Sequence, residues 1–238
     1  MFFFDPLYLL FMMPPLIFII YAQFKVSSAF NKYSKIANMQ GMTGAQVART
    51  LLRVNGLDDV KVEQTKGKLS DHYDPGKKVL RLSPDVYSRN SVAAMGIVAH
   101  EVGHAVQDKV RYPAMALRSA LVPAANIGST LGWVVVMVGI LIYSFSRSEY
   151  GWYVAWGGVG LFGLAVLFTL VTLPVEYDAS NRARKMMMGN GLVSTAEYAG
   201  ASAVLSAAAL TYVAALLQAL AQLMYFVFML LGMKGRDR

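Results

Sequence analysis

Four apolar stretches of about 20 residues each constrain this chain more than any other feature. Such a length at 1.5 Å rise per residue spans the hydrocarbon core of a bilayer. The first runs from Leu7 to Phe24, interrupted only by Pro14, Pro15 and Gln23. The second covers Leu121 to Phe145, the third Trp152 to Leu173, and the fourth lies between Val204 and Met233. Of the 238 residues 56% are hydrophobic and only 15% charged, which excludes an ordinary soluble domain. The expected fold is a mainly α membrane protein with about four transmembrane helices. The N-terminal stretch lacks a basic n-region and a small-residue cleavage site, so an uncleaved anchor over residues 1–24 is expected. Pro14 and Pro15 should kink that helix or set its start nearer Pro15. Gly128 and Gly132 form a G-x-x-x-G pair in the second stretch, a pattern that lets helices approach closely.

Between the first two stretches lies the one sizeable polar segment, 25–118. It carries 15 of the 22 Lys and Arg against eight acids. The positive-inside rule places it on the cytoplasmic side. Residues 119–173 then form a two-helix hairpin, 174–203 return to the cytoplasmic side with Arg182, Arg184 and Lys185, and 204–238 supply a last span and tail. The terminal KGRDR falls outside on this count. The net charge of +8 is dispersed among acids, so it reports topology and not nucleic-acid binding. The absence of cysteine rules out disulfides and thiolate metal sites.

The polar segment reads as a small α+β unit. Thr43 and Gln46 form a capping box, followed by a helical pattern that Gly56 ends. DVKVEQTKG alternates like a strand. LSDHYDPGKKVLRLS reads as a hairpin turning at Asp-Pro-Gly-Lys, with Val79, Leu80 and Leu82 on the return strand. Asn90 or Ser91 then caps a second helix.

On that helix stands AAMGIVAHEVGHAVQ, residues 93–107. Two histidines at i and i+4 share a face, so His100 and His104 can offer imidazole nitrogens to one Zn2+ ion. Glu101, about 100° round the helix, borders that face as a catalytic general base. Gly103 leaves room beside the metal for a substrate backbone. Glycine inside a helix costs about 1 kcal/mol relative to alanine, which fits a functional demand.

Catalytic zinc takes three protein ligands and an open position. No histidine follows His104, so the third ligand is a carboxylate. Asp108 lies one turn too far along. In TLPVEYDASNRARK, Pro174 suits the first turn of a new helix, which puts Glu176 near its start. Asp178 has Arg182 at i+4 as an ion-pair partner. Glu176 has Ser180 there and is left to face the bundle. Glu176 is therefore the expected ligand and Asp178 the alternative. The chain crosses the membrane twice after the histidine helix, which returns Glu176 to the same side.

The blocks DHYDP, VAHEVGHAVQ, LRSALVP, LPVEYDASNRA and AAALTYVAA, spread from Met42 to Ala215, resemble the YugP-type membrane-bound neutral zinc metallopeptidases of bacteria. The resemblance implies a zinc-dependent peptidase in the bacterial cytoplasmic membrane. The order of elements is also similar to the HtpX and CAAX-prenyl-type membrane peptidases. In those families an aspartate follows the ligand glutamate by four residues and supports the site. Here that position is Ser180, so support must come from elsewhere, Asp178 being the candidate.

The expected activity is zinc-dependent endoproteolysis of peptide or membrane-protein substrates at the cytoplasmic face. The alternative is a zinc-stabilised scaffold in the bilayer without hydrolysis. Three further features carry smaller expectations. The VLRLS strand could bind extended substrate as a sheet edge. His72 or Tyr212 could stabilise an oxyanion.

Overall fold

The computed structural model describes residues 5–146 and 148–235. The ends of the expected anchor and tail, residues 1–4 and 236–238, lie outside these, as does Arg147 of the expected hairpin turn. The elements in order are α1 (Pro6–Tyr33), α2 (Gly44–Val54), β1 (Lys61–Gln64), β2 (His72–Asp74), β3 (Val79–Leu82), α3 (Pro84–Ser88), α4 (Val92–Lys109), α5 (Pro113–Ser146), α6 (Glu149–Gly189) and α7 (Thr195–Gly235). Four of these helices, α1, α5, α6 and α7, are long and apolar enough to cross a membrane. The chain is a mainly α membrane protein with one small sheet.

Local signals account for the ends of several elements. At α2 the Thr43 hydroxyl accepts from the Gln46 N–H while the Gln46 side chain accepts from the Thr43 N–H, a complete capping box. Ser91 caps α4 by accepting from Ala94 N at 3.1 Å. Ser194 and Glu197 repeat the reciprocal pattern at the start of α7.

Three of the long helices carry prolines in their interiors, and α1 starts at Pro6 and not near Pro15. Pro14 and Pro15 lie inside α1 and Pro123 inside α5. Pro174 lies inside α6, so it does not begin a new helix as its position in the sequence predicts. A proline removes one backbone bond to the residue four before it, and a helix held on both sides of that break continues across it. Glu176 consequently sits mid-helix, away from any N-terminal dipole.

The chain divides into two compact units. One comprises the described parts of 1–21, 117–173 and 212–238 and is entirely helical. Its core gathers Val136, Ile140, Val159, Phe226 and Leu230, with Tyr8 edge-on to Tyr225 at 5.1 Å. Here the G-x-x-x-G pair does what its spacing predicts. A Cβ on Gly128 would overlap the carbonyl of Leu161, and one on Gly132 would lie 2.7 Å from Phe162 N. α5 and α6 thus touch backbone to backbone.

The other unit comprises 22–116 and 174–211. Its sheet has the order β1-β3-β2, with β1 parallel and β2 antiparallel to β3. The predicted hairpin forms, pairing Tyr73 with Leu80. β3 is the central strand, however, and cannot offer the free edge expected of VLRLS. Both of its sides are occupied because β1 pairs with it from across the hairpin. α4 runs through the middle of this unit and is buried on most faces, packed on Val47, Leu51, Leu80, Val175 and Leu205 among others.

Candidate metal centre

α4 presents His100 and His104 one turn apart, their rings edge-to-face with centroids 4.7 Å apart. α6 brings Glu176 between them. Glu176 Oε2 lies 3.2 Å from His100 Nε2 and 3.4 Å from His104 Nε2. Among the described residues these three form a group whose ligand-type atoms all lie within 4.8 Å of one another. Only 2% of Glu176 is exposed, an expensive position for a carboxylate unless something cationic shares it.

The donor set fits zinc. Two imidazole nitrogens and a carboxylate are one of its established catalytic ligand sets, bound at about 2.0–2.2 Å. Donors on a tetrahedral ion at that distance stand about 3.3 Å apart, close to both separations found here. The other ring nitrogens are already engaged. His100 Nδ1 lies 3.1 Å from Ser180 Oγ, and His104 Nδ1 lies 2.9 Å from Gln107 Oε1. Both Nε2 atoms therefore face the carboxylate.

Electrostatics agree with a site suited to a cation. Burial pushes His104 down, but the hydrogen bond to Glu176 and the charges of Glu101 and Glu176 outweigh it and hold the imidazole above its ordinary value. Two buried carboxylates favour positive charge in this pocket.

Glu101 is also buried, 8% exposed, and its Oε2 accepts a hydrogen bond from the Tyr73 backbone N–H at 3.1 Å. Strand β2 reaches α4 a second time through the Tyr73 hydroxyl, which donates to Asp108 Oδ2 at 2.9 Å. Burial and that bond push the phenol well above its usual range. Tyr73 thus braces the histidine helix at two points seven residues apart.

Asp178, the alternative ligand, faces a different set of partners. Its Oδ2 accepts from Arg182 Nε at 2.6 Å and from Gln107 Nε2 at 2.8 Å. Ser180 meets His100 directly, its Oγ lying 3.1 Å from Nδ1. Asp178 meets His104 only through Gln107. The one signal of Gln107 in the sequence is its i+3 spacing from His104, which places it on the adjoining face.

The structure does not join His72 to this group. His72 is exposed, with Nδ1 2.8 Å from Ser70 O and Nε2 3.4 Å from Arg81 Nη1. Tyr212 belongs to the other compact unit. Gly103 also differs from expectation. A Cβ there would lie 2.7 Å from the Ala179 carbonyl oxygen and 3.3 Å from Ala179 Cα. The space is filled by the backbone of α6 and not left for substrate, because α6 must come this close to deliver Glu176.

Residues 8–231 match the profile of a family described as "putative neutral zinc metallopeptidase". A "putative membrane protease YugP" of Bacillus subtilis (strain 168) is 45% identical over 217 residues, covering 91% of this chain and 92% of that protein. No solved structure shows a significant match.

Proposed function

The chain belongs to the neutral zinc metallopeptidase family, and from that premise we propose that it is a membrane-embedded zinc endopeptidase with His100, His104 and Glu176 as metal ligands. The observation that carries this reading is the convergence of one carboxylate oxygen on two Nε2 atoms at 3.2 and 3.4 Å. When bound, one Zn2+ ion supplies Lewis acidity toward the scissile carbonyl and lowers the pKa of water to about 7.

The remaining work falls to the chain's own residues. Glu101 is the general base: the Tyr73 N–H holds Oε2, which leaves Oε1 to take a proton from the attacking water. The same carboxyl then donates that proton to the departing amine nitrogen, so acid and base steps share one side chain. Glu176 places a full negative charge between the imidazoles and keeps both rings turned inward. Ser180 and Gln107 hold the far nitrogens of those rings.

Substrates are peptide segments of membrane or unfolded proteins, and the site faces the cytoplasm of a bacterial inner membrane. The excess of Lys and Arg in 25–118 supports that orientation. The four apolar helices in the same chain support substrates that approach from the bilayer.

The test is Glu101→Gln in purified, detergent-solubilised protein, with zinc content and casein cleavage measured together. Stoichiometric zinc with cleavage abolished is the expected result. Cleavage at the wild-type rate would falsify the assignment of the base. Wild-type protein that binds zinc and cleaves nothing would instead point to the non-proteolytic scaffold.

A further inference from the structure

We propose that Gln107 is a positioning residue that fixes the tautomer of His104 and thereby presets one of the two imidazoles for the metal. The inference rests on the metal site proposed above and extends it to a side chain on which the peptidase chemistry makes no direct demand.

Gln107 is fully buried, at 0% exposure. A primary amide offers two N–H donors on nitrogen and two lone pairs on oxygen, and its orientation follows from its neighbours. Here Nε2 has two partners at 2.8 Å, the Val175 carbonyl oxygen and Asp178 Oδ2. Both are acceptors. The reverse orientation would aim the amide oxygen at two other oxygens, so it is excluded. Oε1 must then face His104 Nδ1, 2.9 Å away. An acceptor at that distance requires a proton on Nδ1. In the neutral ring Nε2 is then left with a lone pair directed at Glu176.

The chain of constraint does not stop at Gln107. Asp178 is held in turn by Arg182 Nε at 2.6 Å. Arg182, Asp178, Gln107 and His104 form a continuous line from α6 to α4 in which Arg182 and Gln107 both donate to Asp178 and His104 donates to Gln107. His100 is held differently. Its Nδ1 meets a serine hydroxyl, which can donate or accept and imposes no tautomer. One imidazole is locked and the other is free to adapt.

Partners of this kind raise ligand basicity, and removing them typically costs about 10- to 100-fold in metal affinity. The experiment compares wild-type, Gln107→Leu, Gln107→Glu and the double variant Gln107→Glu with Asp178→Asn. Each full-length protein is purified in detergent, stripped, and titrated with zinc against a chromophoric chelator. The visible spectrum of the Co2+-loaded form reports ligand geometry, and thermal unfolding of the stripped form reports the fold.

Gln107→Leu should bind zinc about 10- to 100-fold more weakly and shift the Co2+ bands. Gln107→Glu sets a second carboxylate against Asp178 and should also be impaired. The double variant restores a donor at 178 and an acceptor at 107 but leaves the Val175 carbonyl facing an oxygen, so it should bind zinc more tightly than Gln107→Glu, and move the spectrum back toward wild type, without reaching wild-type affinity. Unchanged affinity and spectrum in Gln107→Leu would overturn the proposal. Should that variant fail to fold, the double variant decides: recovery supports the relay, and a folded double variant as weak as Gln107→Glu overturns it. Wild-type protein that binds zinc without cleaving peptide sinks the peptidase reading and leaves the relay standing.

Discussion

The helical unit and the unit that holds the candidate metal centre both use backbone contact at glycines, but they differ in what surrounds it. In the first, α5 and α6 meet where side chains are missing, at Gly128 and Gly132 against Leu161 and Phe162. In the second, α4 is surrounded by side chains such as Leu51, Leu80 and Leu205, and its buried polar atoms are paired. The difference follows from the solvent each sequence is written for. Lipid tails are as apolar as leucine, so burial of apolar groups drives nothing there and close backbone contact must do the work. In water, burial drives collapse at roughly 25 cal/mol per Å2, and polar groups taken along must find partners.

The largest effect that sharpens this contrast is chemical. Glu101→Gln should lower peptide hydrolysis by about 100- to 10,000-fold with unfolding in detergent unaltered, because the change removes a proton acceptor and no packing. Next come the glycines. Gly128→Leu forces side-chain atoms into the Leu161 backbone and should destabilise the helical unit by about 1–3 kcal/mol or more, read by thermal unfolding in detergent. An unchanged melting curve would break the claim that backbone contact holds α5 to α6. Gly103→Ala is its counterpart in the second unit. The added methyl must push α4 from Ala179, so zinc affinity should fall together with stability; a fall in stability alone would show that the ligands adapt.

Smaller effects follow from pH and from the brace. His104 stands above its ordinary value of 6.5 in the metal-free fold. Its protonated form therefore stabilises that fold fully below the unfolded value, and the contribution is lost as pH rises through the folded one. Zinc requires the neutral ring, so zinc affinity should climb with pH through and above 6.5. A flat profile in a competition titration would remove His104 from the ligand set. The least change belongs to Tyr73→Phe, which deletes the bond to Asp108 at a cost of about 1 kcal/mol, measurable by chemical unfolding.

Features set by near neighbours could be read from the sequence. The Thr43–Gln46 box, the Ser91 cap, the Asp-Pro-Gly-Lys turn and the four apolar lengths each depend on residues within a few positions. His100 and His104 fall in this class, since one helical turn relates them. Features set by distant chain segments could not be read. The parallel pairing of β1 with β3 is a contact between segments separated by the hairpin, and it turns VLRLS from an edge into a centre. The unbroken course of α6 through Pro174 reflects packing on both sides of the proline, which outweighs the local cost. Gln107 is intermediate. Its face was legible from spacing, but its partners Val175 and Asp178 arrive from 68 and 71 residues away.

The missing side chain at Gly103 has a wider consequence. It records the direction from which α6, and Glu176 with it, approaches the two histidines. In this chain the residue before the second histidine acts as a doorway that admits one particular helix, and its width is set by a backbone and not by a substrate. A duplicated copy of the gene that acquired a bulky residue at that position would keep both histidines and the glutamate and yet lose the route by which Glu176 reaches them. The short histidine signature therefore carries a map of its own surroundings: two letters name the proposed ligands, one names the proposed base, and the glycine says from which side α6 comes in.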